Sequence, residues 1–276
     1  VIITFFFIIF KTLGYKIGSN LGALIGYIFG PIFRSKNIIV KNIKRALPKI
    51  NDNEISNITK NMWSNYGRIL SDYMFIKNFR NSKLDKYLKI DGIEILEKIK
   101  LKNKPVVFVS GHFNNFELMA MQIEKSGINL AAIYRPLNNI FINRIMENIR
   151  NKYICKKQIK KGRSGLRDIL TLIKKNYSIA LMIDQRVSEG ISVNFFNQPA
   201  LTTTIPAQLV KKFNCEIVPI YIERINKVNY RIVIQKPFNF NTEASVENIT
   251  LKLNLWLEKM ILHNPSQWIW SHNRWK

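Results

Sequence analysis

Cysteine is scarce in this sequence, which contains only two cysteines among 276 residues. Cys155 and Cys215 do not stand at a spacing typical of metal ligands, so the sequence indicates neither a zinc site nor a disulfide framework. We therefore expect a protein without a bound metal or cofactor, in a reducing location that faces the cytoplasm.

Acidic residues are also few, since 18 Asp and Glu stand against 43 Lys and Arg, which gives a formal net charge of +25. This imbalance predicts attraction to a polyanion, and nucleic acid, anionic lipid and acidic carrier proteins all qualify. An alternative is that the abundance of Lys, Ile and Asn partly reflects AT-rich coding rather than selection for a binding surface.

A long uninterrupted apolar run is missing as well. A membrane-spanning helix needs about 20 consecutive apolar residues, whereas Lys11 and Lys16 separate the apolar segment 1–10 from the weakly charged segment 21–33. No small-residue cleavage site follows the first segment, which disfavours a removed signal peptide.

We interpret residues 1–33 as an N-terminal membrane anchor. Because the chain opens on Val1, one interpretation is that this anchor is truncated. Residues 34–276 then form one domain. Basic residues that flank the apolar segments, such as Arg34 and Lys36, favour the cytoplasmic side of the membrane interface.

Basic and apolar residues alternate at helical spacing over residues 34–49, which predicts an amphipathic helix suited to an anionic bilayer surface. Pro48 ends this helix, and Asn51 or Asp52 can cap a second helix that runs to about Phe75. For the second helix, an ordinary core-facing helix with a solvated basic side is an equally good interpretation.

The rest of the chain alternates between short apolar runs and helical patterns. Val106 to Val109 form a continuous apolar run, as expected of a strand buried on both faces. Further strands are predicted at 130–134, 178–183, 216–222 and 230–234, and further helices at 139–152, 164–175, 205–213 and 246–263. This alternation predicts an α/β fold with a central, largely parallel or mixed sheet flanked by helices.

One turn in this pattern carries residues suited to catalysis. The strand ending at Ser110 leads into Gly111 and His112, Asn114 can cap the next helix, and Glu117 falls in its first turn. In such a sheet the active crevice lies beyond the carboxyl ends of the strands. A histidine with a nearby carboxylate can deprotonate a hydroxyl, because the imidazole takes the proton and the carboxylate holds its tautomer.

The spacing by itself is not specific. An acidic residue is expected five positions after some histidine about 0.2 times by chance in a chain of this composition. A structural histidine with satisfied hydrogen bonds is therefore the alternative for His112. The sequence of strand, glycine, histidine and helix favours the catalytic interpretation.

The segment Gly-His-Phe-x-Asn-Phe-Glu resembles the H-x4-D/E motif of glycerolipid-type acyltransferases, in the Glu-containing version of the lipid A lauroyl/myristoyl acyltransferases. Many matches in the family's order are more specific than any single one. The resemblance covers nearly the whole chain, through Leu21-Gly22, Lys41 to Ile43, Ala46 to Pro48, Tyr134 to Asn139, Asp184-Gln185, Phe195-Phe196, Thr202 to Thr204 and Pro265 to Lys276. The main departure is an N-terminus shorter than the family's usual anchor.

The resemblance implies a glycerolipid-acyltransferase-like fold and a role in lipopolysaccharide biosynthesis at the cytoplasmic face of the inner membrane. Family members move a fatty acyl group from acyl carrier protein to the 3-hydroxyl of an acyl chain of a lipid A precursor. The implied partners are therefore the carrier protein, the lipid A precursor and an anionic membrane surface, with no nucleic acid. The carrier thioester is a co-substrate, and no cofactor is implied.

The resemblance also implies residue roles, with His112 as the general base and Glu117 as its orienting partner. Arg135 matches the arginine of the family's Tyr-Arg-Pro segment, which implies contact with a substrate phosphate or with developing oxyanion charge. The alternative for Arg135 is a surface residue beside a turn-forming proline.

Four further residues are substrate-binding candidates. Asp184 ends a predicted strand, so its carboxylate could organise Arg135 or Arg163 in the crevice, although a plain strand-ending aspartate is nearly as good an interpretation. Gln185 and Thr203 lie in matched segments. The threonine run around Thr203 can cap a helix whose N-terminus favours an anion, and ordinary capping explains it equally well.

Two basic or aromatic segments remain. Residues 152–163 carry six Lys and Arg, which suits an acidic carrier protein or lipid phosphate, and a solvated basic surface is the even alternative. Trp268, Trp270 and Trp275 lie among basic residues, as at a boundary of water and lipid. From the residues alone, core packing is the favoured interpretation of Trp268 and Trp270.

Two rival functions stay open at this stage. A basic nucleic-acid-binding protein fits the net charge and the aromatic residues but not the apolar N-terminus or the His112 turn. The closer rival is a related acyltransferase that acts on another glycolipid or glycerolipid, such as the phosphatidylinositol mannoside type. The sequence indicates neither the acyl chain length nor the oligomeric state.

Overall fold

The structure is a computed structural model that describes residues 2–240 and 243–275, with the backbone alone described at 2–5, 33, 141 and 163. The helices are α1 (Ile2–Phe33), α2 (Lys36–Ala46), α3 (Asp52–Asp72), α4 (Ile76–Arg80), α5 (Ile93–Lys102), α6 (Glu117–Lys125), α7 (Ile140–Ile149), α8 (Arg163–Lys174), α9 (Ile205–Phe213) and α10 (Val246–His263). The strands are β1 (Leu88–Asp91), β2 (Val107–Ser110), β3 (Leu130–Tyr134), β4 (Lys157–Lys160), β5 (Ser178–Met182), β6 (Ile191–Phe195), β7 (Gln198–Thr202), β8 (Ile217–Asn226) and β9 (Asn229–Ile234).

A seven-stranded sheet with the order β1-β9-β8-β2-β5-β3-β4 forms the centre of the described chain. All neighbouring pairs are parallel except β8 and β9, which form an antiparallel hairpin, so β1 and β9 run against the other five strands. Helices flank this sheet, and the predicted α/β fold with a mostly parallel sheet is confirmed. Strand β2 lies in the middle and is buried along its whole length, as its continuous apolar run predicts.

Long helices and buried strands begin and end close to where the sequence predicts them. Helices α9 and α10 have the predicted bounds, and Asn51 caps α3 in a capping box with Glu54. Helices α4 and α5, strands β1 and β4, and the antiparallel pair β6 and β7 are not predicted from the sequence. These elements are short, and β4 carries lysines at the edge of the sheet, where a strand needs only one apolar residue, Ile159, to face the core.

Helix α1 is bent and packed against the rest of the protein. It turns at Gly14, whose φ of 75° favours glycine. Beyond the bend, backbone atoms of α1 and α3 come into direct contact, because a Cβ at Gly22 would lie 2.4 Å from the carbonyl oxygen of Gly67. Among the described residues, no helix has both the length and the hydropathy that a membrane span requires.

Gly67→Ala is expected to lower the free energy of unfolding by about 3 kcal/mol or more, at the upper end of the cost of overpacking. The added methyl would stand 1.9 Å from the carbonyl oxygen of Gly22, so the backbones of α1 and α3 must separate. Thermal and urea unfolding measure the effect. Asn61→Ala on the exposed side of α3 is the matched control, and equal stability of the two variants would contradict the close packing.

The apolar side of α2 faces the protein core, which corrects the prediction of a helix that lays this side on a bilayer. Ile39, Ile43 and Ala46 are buried, and Asn42 is 1% exposed between them. Asn42 donates to the carbonyl oxygens of Trp270 and His272 at 2.8 and 2.7 Å. The amphipathic pattern of α2 therefore reflects core packing and attachment to the C-terminal segment.

Candidate active site

The turn after β2 brings His112 to the carboxyl edge of the sheet, as predicted. Gly111 is needed there, because a Cβ at this position would lie 2.9 Å from the side chains of Leu257 and Phe113. Asn114 does not cap α6 as the sequence suggested. It has a φ of 45° and donates a side-chain hydrogen bond to Gln267 near the C-terminus.

The imidazole of His112 is hydrogen-bonded to the carboxylate of Asp184. Its Nδ1 lies 2.7 Å from Oδ1 of Asp184, and its backbone N–H donates to Oδ2 at 2.7 Å. The side chain of His112 is 20% exposed and that of Asp184 is 0% exposed, so the carboxylate lies behind the ring. The carboxylate bond directs the proton of the neutral ring to Nδ1, which leaves Nε2 free to accept a proton from a ligand.

Groups around Asp184 favour the ionised form of its carboxylate. Its Oδ2 also accepts a hydrogen bond from Nε1 of Trp268 at 2.8 Å. Burial raises the pKa of Asp184, but the adjacent His112 and the hydrogen bonds from His112 and Trp268 outweigh burial and lower the pKa to about 2. Asp184 is therefore a buried carboxylate that accepts three hydrogen bonds, two from His112 and one from Trp268.

The carboxylate of Glu117 binds other residues, and Asp184, not the predicted Glu117, is the carboxylate hydrogen-bonded to the His112 ring. Oε1 of Glu117 accepts from Nε of Arg150 at 2.7 Å and from the hydroxyl of Tyr73 at 2.5 Å, and Nη2 of Arg150 is 2.5 Å away. Burial lowers the pKa of Arg150, but Glu117 and Tyr73 outweigh burial and raise it. Glu117 and Arg150 thus form a buried ion pair beside the histidine.

A cavity of about 540 Å³ opens beside His112 at the carboxyl edge of the sheet. His112, Glu117, Arg135, Gln185 and Thr203 all line it, so the structure brings five sequence-predicted residues to one space. Apolar side chains line much of the remaining wall: Phe108, Met119, Ala120, Ile123, Ala132, Ala180, Met182 and Ile220. The arrangement places the imidazole of His112 at the side of a largely apolar pocket.

Three further predictions from the sequence concern Asp184, Arg163 and Thr203. Asp184 does not line the cavity, and its carboxylate accepts hydrogen bonds from His112 and Trp268, whereas the sequence suggested Arg135 or Arg163 as its partner. Arg163 is the first residue of α8, and its side chain lies outside what the structure describes. Thr203 is buried in the wall, while its neighbour Thr204 precedes α9 without a side-chain cap.

The chain matches the family model of the bacterial lipid A biosynthesis acyltransferases over residues 1–276. The chain belongs to this family. It is therefore an acyltransferase of the lipid A biosynthesis family, and the predicted resemblance is confirmed. Membership favours the acyltransferase hypothesis over the nucleic-acid-binding hypothesis.

Curated relatives agree with this assignment at low identity. A lipid A biosynthesis palmitoleoyltransferase of Escherichia coli (strain K12) is 24% identical over 272 residues, which cover 96% of this chain and 86% of the relative. A lipid A biosynthesis lauroyltransferase of the same organism is 22% identical over 271 residues, covering 95% and 85%. A lipid A biosynthesis acyltransferase of Haemophilus influenzae (strain ATCC 51907 / DSM 11121 / KW20 / Rd) is 22% identical over 277 residues, covering 96% and 86%.

Within this acyltransferase, two site residues were not predicted from the sequence: Arg150 and His272 line the cavity, but no local pattern distinguishes them from other basic residues. Arg34 and Lys161 also line it; the sequence placed Arg34 at the membrane interface and Lys161 in a basic segment suited to carrier protein or lipid phosphate. Asp184 carried a usable signal, because it ends a buried strand beside the one that leads to His112, and adjacent parallel strands end at the same edge. The core-packing interpretation of the tryptophans is confirmed, since Trp268 and Trp270 are at most 1% exposed.

Proposed function

We propose that the enzyme moves a fatty acyl group from the thioester of acyl carrier protein to a hydroxyl of a lipid A precursor, with His112 as the general base. The observation that carries the proposal is the His112–Asp184 pair on the wall of a largely apolar cavity. A base at this position and an apolar space beside it suit a hydroxyl acceptor and a fatty acyl chain.

In the proposed reaction, Nε2 of His112 takes the proton of the acceptor hydroxyl as its oxygen attacks the thioester carbonyl carbon. Asp184 holds the ring and stabilises the imidazolium, and the departing thiolate then takes the proton back from Nε2. The acceptor attacks directly, so no protein nucleophile is required. The two cysteines do not suit that role, because burial raises the pKa of Cys155 to about 12 and that of Cys215 to about 11.

Glu117 is proposed to act as a positioning residue rather than as the partner of the imidazole. Its ion pair with Arg150 fastens the start of α6 to the turn that follows α7, and both side chains line the cavity beside His112. Loss of the carboxylate would leave a buried guanidinium with fewer partners, so we expect the shape of the wall to change.

The mouth of the cavity is proposed to bind phosphate. Arg34, Arg135 and Lys161 come from three different parts of the chain and line the cavity, and none of them forms an ion pair with a described residue. Partial burial and nearby Arg135 lower the pKa of Lys161, while Glu189 opposes the shift. Cations gathered without ion-pair partners favour an anionic ligand, and both the lipid A precursor and the carrier arm would supply phosphate.

Arg135→Gln and Lys161→Gln are each expected to raise the KM for the phosphorylated substrate by about 10-fold, the cost of one charge-assisted hydrogen bond, with little change in kcat. Added salt should shrink the difference from the parent enzyme, because the mouth is solvated. Lys83→Gln is the matched control, since Lys83 is exposed and does not line the cavity. An unchanged KM for both substrates in both variants would reject phosphate binding at the mouth.

The proposed location is the cytoplasmic face of the inner membrane, with α1 against the bilayer. Ile17, Leu24, Ile28 and Ile32 recur at helical spacing, and each is more than half exposed. A row of exposed apolar side chains on a protein of net charge +25 suits a surface of anionic lipid. Lysines of the exposed edge strand β4, together with Lys156, are proposed to receive the acidic carrier protein.

An assay of the purified protein with acyl carrier thioesters of several chain lengths and a lipid A precursor tests the proposal. We expect the precursor to gain the mass of one acyl group, faster from the carrier thioester than from the matching coenzyme A thioester. The protein should also float with anionic vesicles and not with neutral ones. Transfer to another glycolipid in preference to the lipid A precursor would support the rival acyltransferase function, and no acyl transfer at all would sink the proposal.

A further inference from the structure

Hydrogen bonds fix the C-terminal segment from Trp268 to Trp275 at two points. The two polar residues of this segment that line the cavity lie between these points. Trp268 donates to Asp184, and Arg274, which is 0% exposed, donates to the carbonyl of Leu201 and the hydroxyl of Thr202. Between these anchors, Ser271 and His272 line the cavity. A segment held this firmly positions the imidazole of His272 with little freedom.

The hydrogen bonds of His272 define which nitrogen can act on a ligand. Its carbonyl oxygen accepts from Asn42 at 2.7 Å, and its Nε2 accepts from the backbone N–H of Arg186 at 3.4 Å. Because Nε2 is an acceptor, the proton of the neutral ring is on Nδ1. Nδ1 has no hydrogen-bond partner among the residues that the structure describes, although the side chain lines the cavity.

The surroundings keep this second imidazole neutral. Burial lowers the pKa of His272, nearby Asp184 opposes the shift, and His112, Arg274 and Lys161 add to it. Burial and the basic residues Arg274 and Lys161 thus disfavour a positive charge on this ring, and the carboxylate of Asp184 offsets them only in part. His272 is therefore a hydrogen-bond donor in the cavity and not a second base.

We propose that His272 is a further catalytic residue, whose Nδ1–H donates a hydrogen bond to the thioester carbonyl oxygen as negative charge develops there. The inference rests on the proposed acyl transfer. As the acceptor oxygen bonds to the carbonyl carbon, His112 takes its proton and the π electrons move to the carbonyl oxygen, which His272 stabilises. When the carbonyl re-forms, the carbon–sulfur bond breaks and the thiolate receives the proton from His112, so ester and thiol leave.

Three substitutions test this role, because amide side chains place a donor at either ring nitrogen. The side-chain amide of His272→Asn stands near the position of Nδ1, whereas that of His272→Gln stands near Nε2. We expect His272→Ala and His272→Gln to lower kcat by about 100-fold, the effect of removing one oxyanion donor. The KM values should stay within about two-fold of the parent values, and His272→Asn should recover about 10-fold of the lost kcat.

Melting temperatures and pH profiles accompany the kinetics. All three variants should melt close to the parent protein, and the shape of the pH–rate profile should stay that of the parent. Equal losses in the Asn and Gln variants together with lower melting temperatures would show a structural role and overturn the inference. A raised KM for the acceptor with unchanged kcat, or near-normal turnover of His272→Ala, would overturn it too. Each of these results needs an active parent enzyme, so an inactive parent would instead reject the proposed function.

Discussion

Replacing His112 by alanine is expected to lower kcat by about 1,000-fold or more, while the protein stays folded. The proposed reaction loses its base for the acceptor hydroxyl and its acid for the departing thiolate, each a contribution of about 100-fold or more. The side chain of His112 is 20% exposed and borders the cavity, so its removal should disturb the core little.

The measurement is the steady-state rate of acyl transfer, followed by mass, together with the melting temperature. The remaining hydrogen bond from Trp268 keeps the buried carboxylate of Asp184 partly satisfied in the variant. His263→Ala is the matched control, because this histidine is exposed and lies outside the cavity, and its variant should turn over normally. Turnover within 10-fold of the parent rate in His112→Ala would reject the histidine as the base.

Replacing Asp184 by asparagine is expected to have an effect of similar size, about 1,000-fold on kcat. The amide would donate to Nδ1 of His112, which moves the ring proton to Nε2 and blocks the nitrogen that must accept the substrate proton. The hydrogen bond from Trp268 can persist, so the variant should fold.

The same substitution should change how stability depends on pH. The pKa of Asp184 is held at about 2 in the folded protein, below the usual value of about 3.9 for an unfolded chain. The stabilisation by this carboxylate is therefore fully present above that usual value and is lost as the pH falls towards 2. Urea unfolding at pH 6 and pH 3 should show a smaller loss of stability in Asp184→Asn than in the parent protein.

Glu117→Gln is the comparison that separates the two acidic residues. Because Glu117 binds Arg150 and Tyr73, its variant should lose stability and only about 10-fold in kcat, as expected when one partner of a buried ion pair is removed. The opposite result, with Glu117→Gln inactive but stable and Asp184→Asn active, would restore Glu117 as the partner of the imidazole.

The difference between Glu117 and Asp184 shows where sequence reasoning stops. The spacing of His112 and Glu117 along one turn suggested a contact, since residues at the start of a helix can reach back to the preceding turn. In the folded chain, the carboxylate of Glu117 instead accepts hydrogen bonds from Arg150 and Tyr73. Asp184 is 72 residues from His112 in sequence, and only the pairing of β2 with β5 brings the two together.

The fold class, the family, the buried central strands and the position of His112 at the end of β2 could all be predicted from the amino-acid sequence. These features depend on local patterns, because hydrophobic periodicity defines buried strands and helices, and a glycine before the histidine permits the turn. The tertiary structure alone decided which carboxylate holds the imidazole, which side of α2 is buried, and that His272 shares the cavity with His112. Each of these depends on contacts between distant segments, and local patterns carry no information on which of several compatible partners comes within reach.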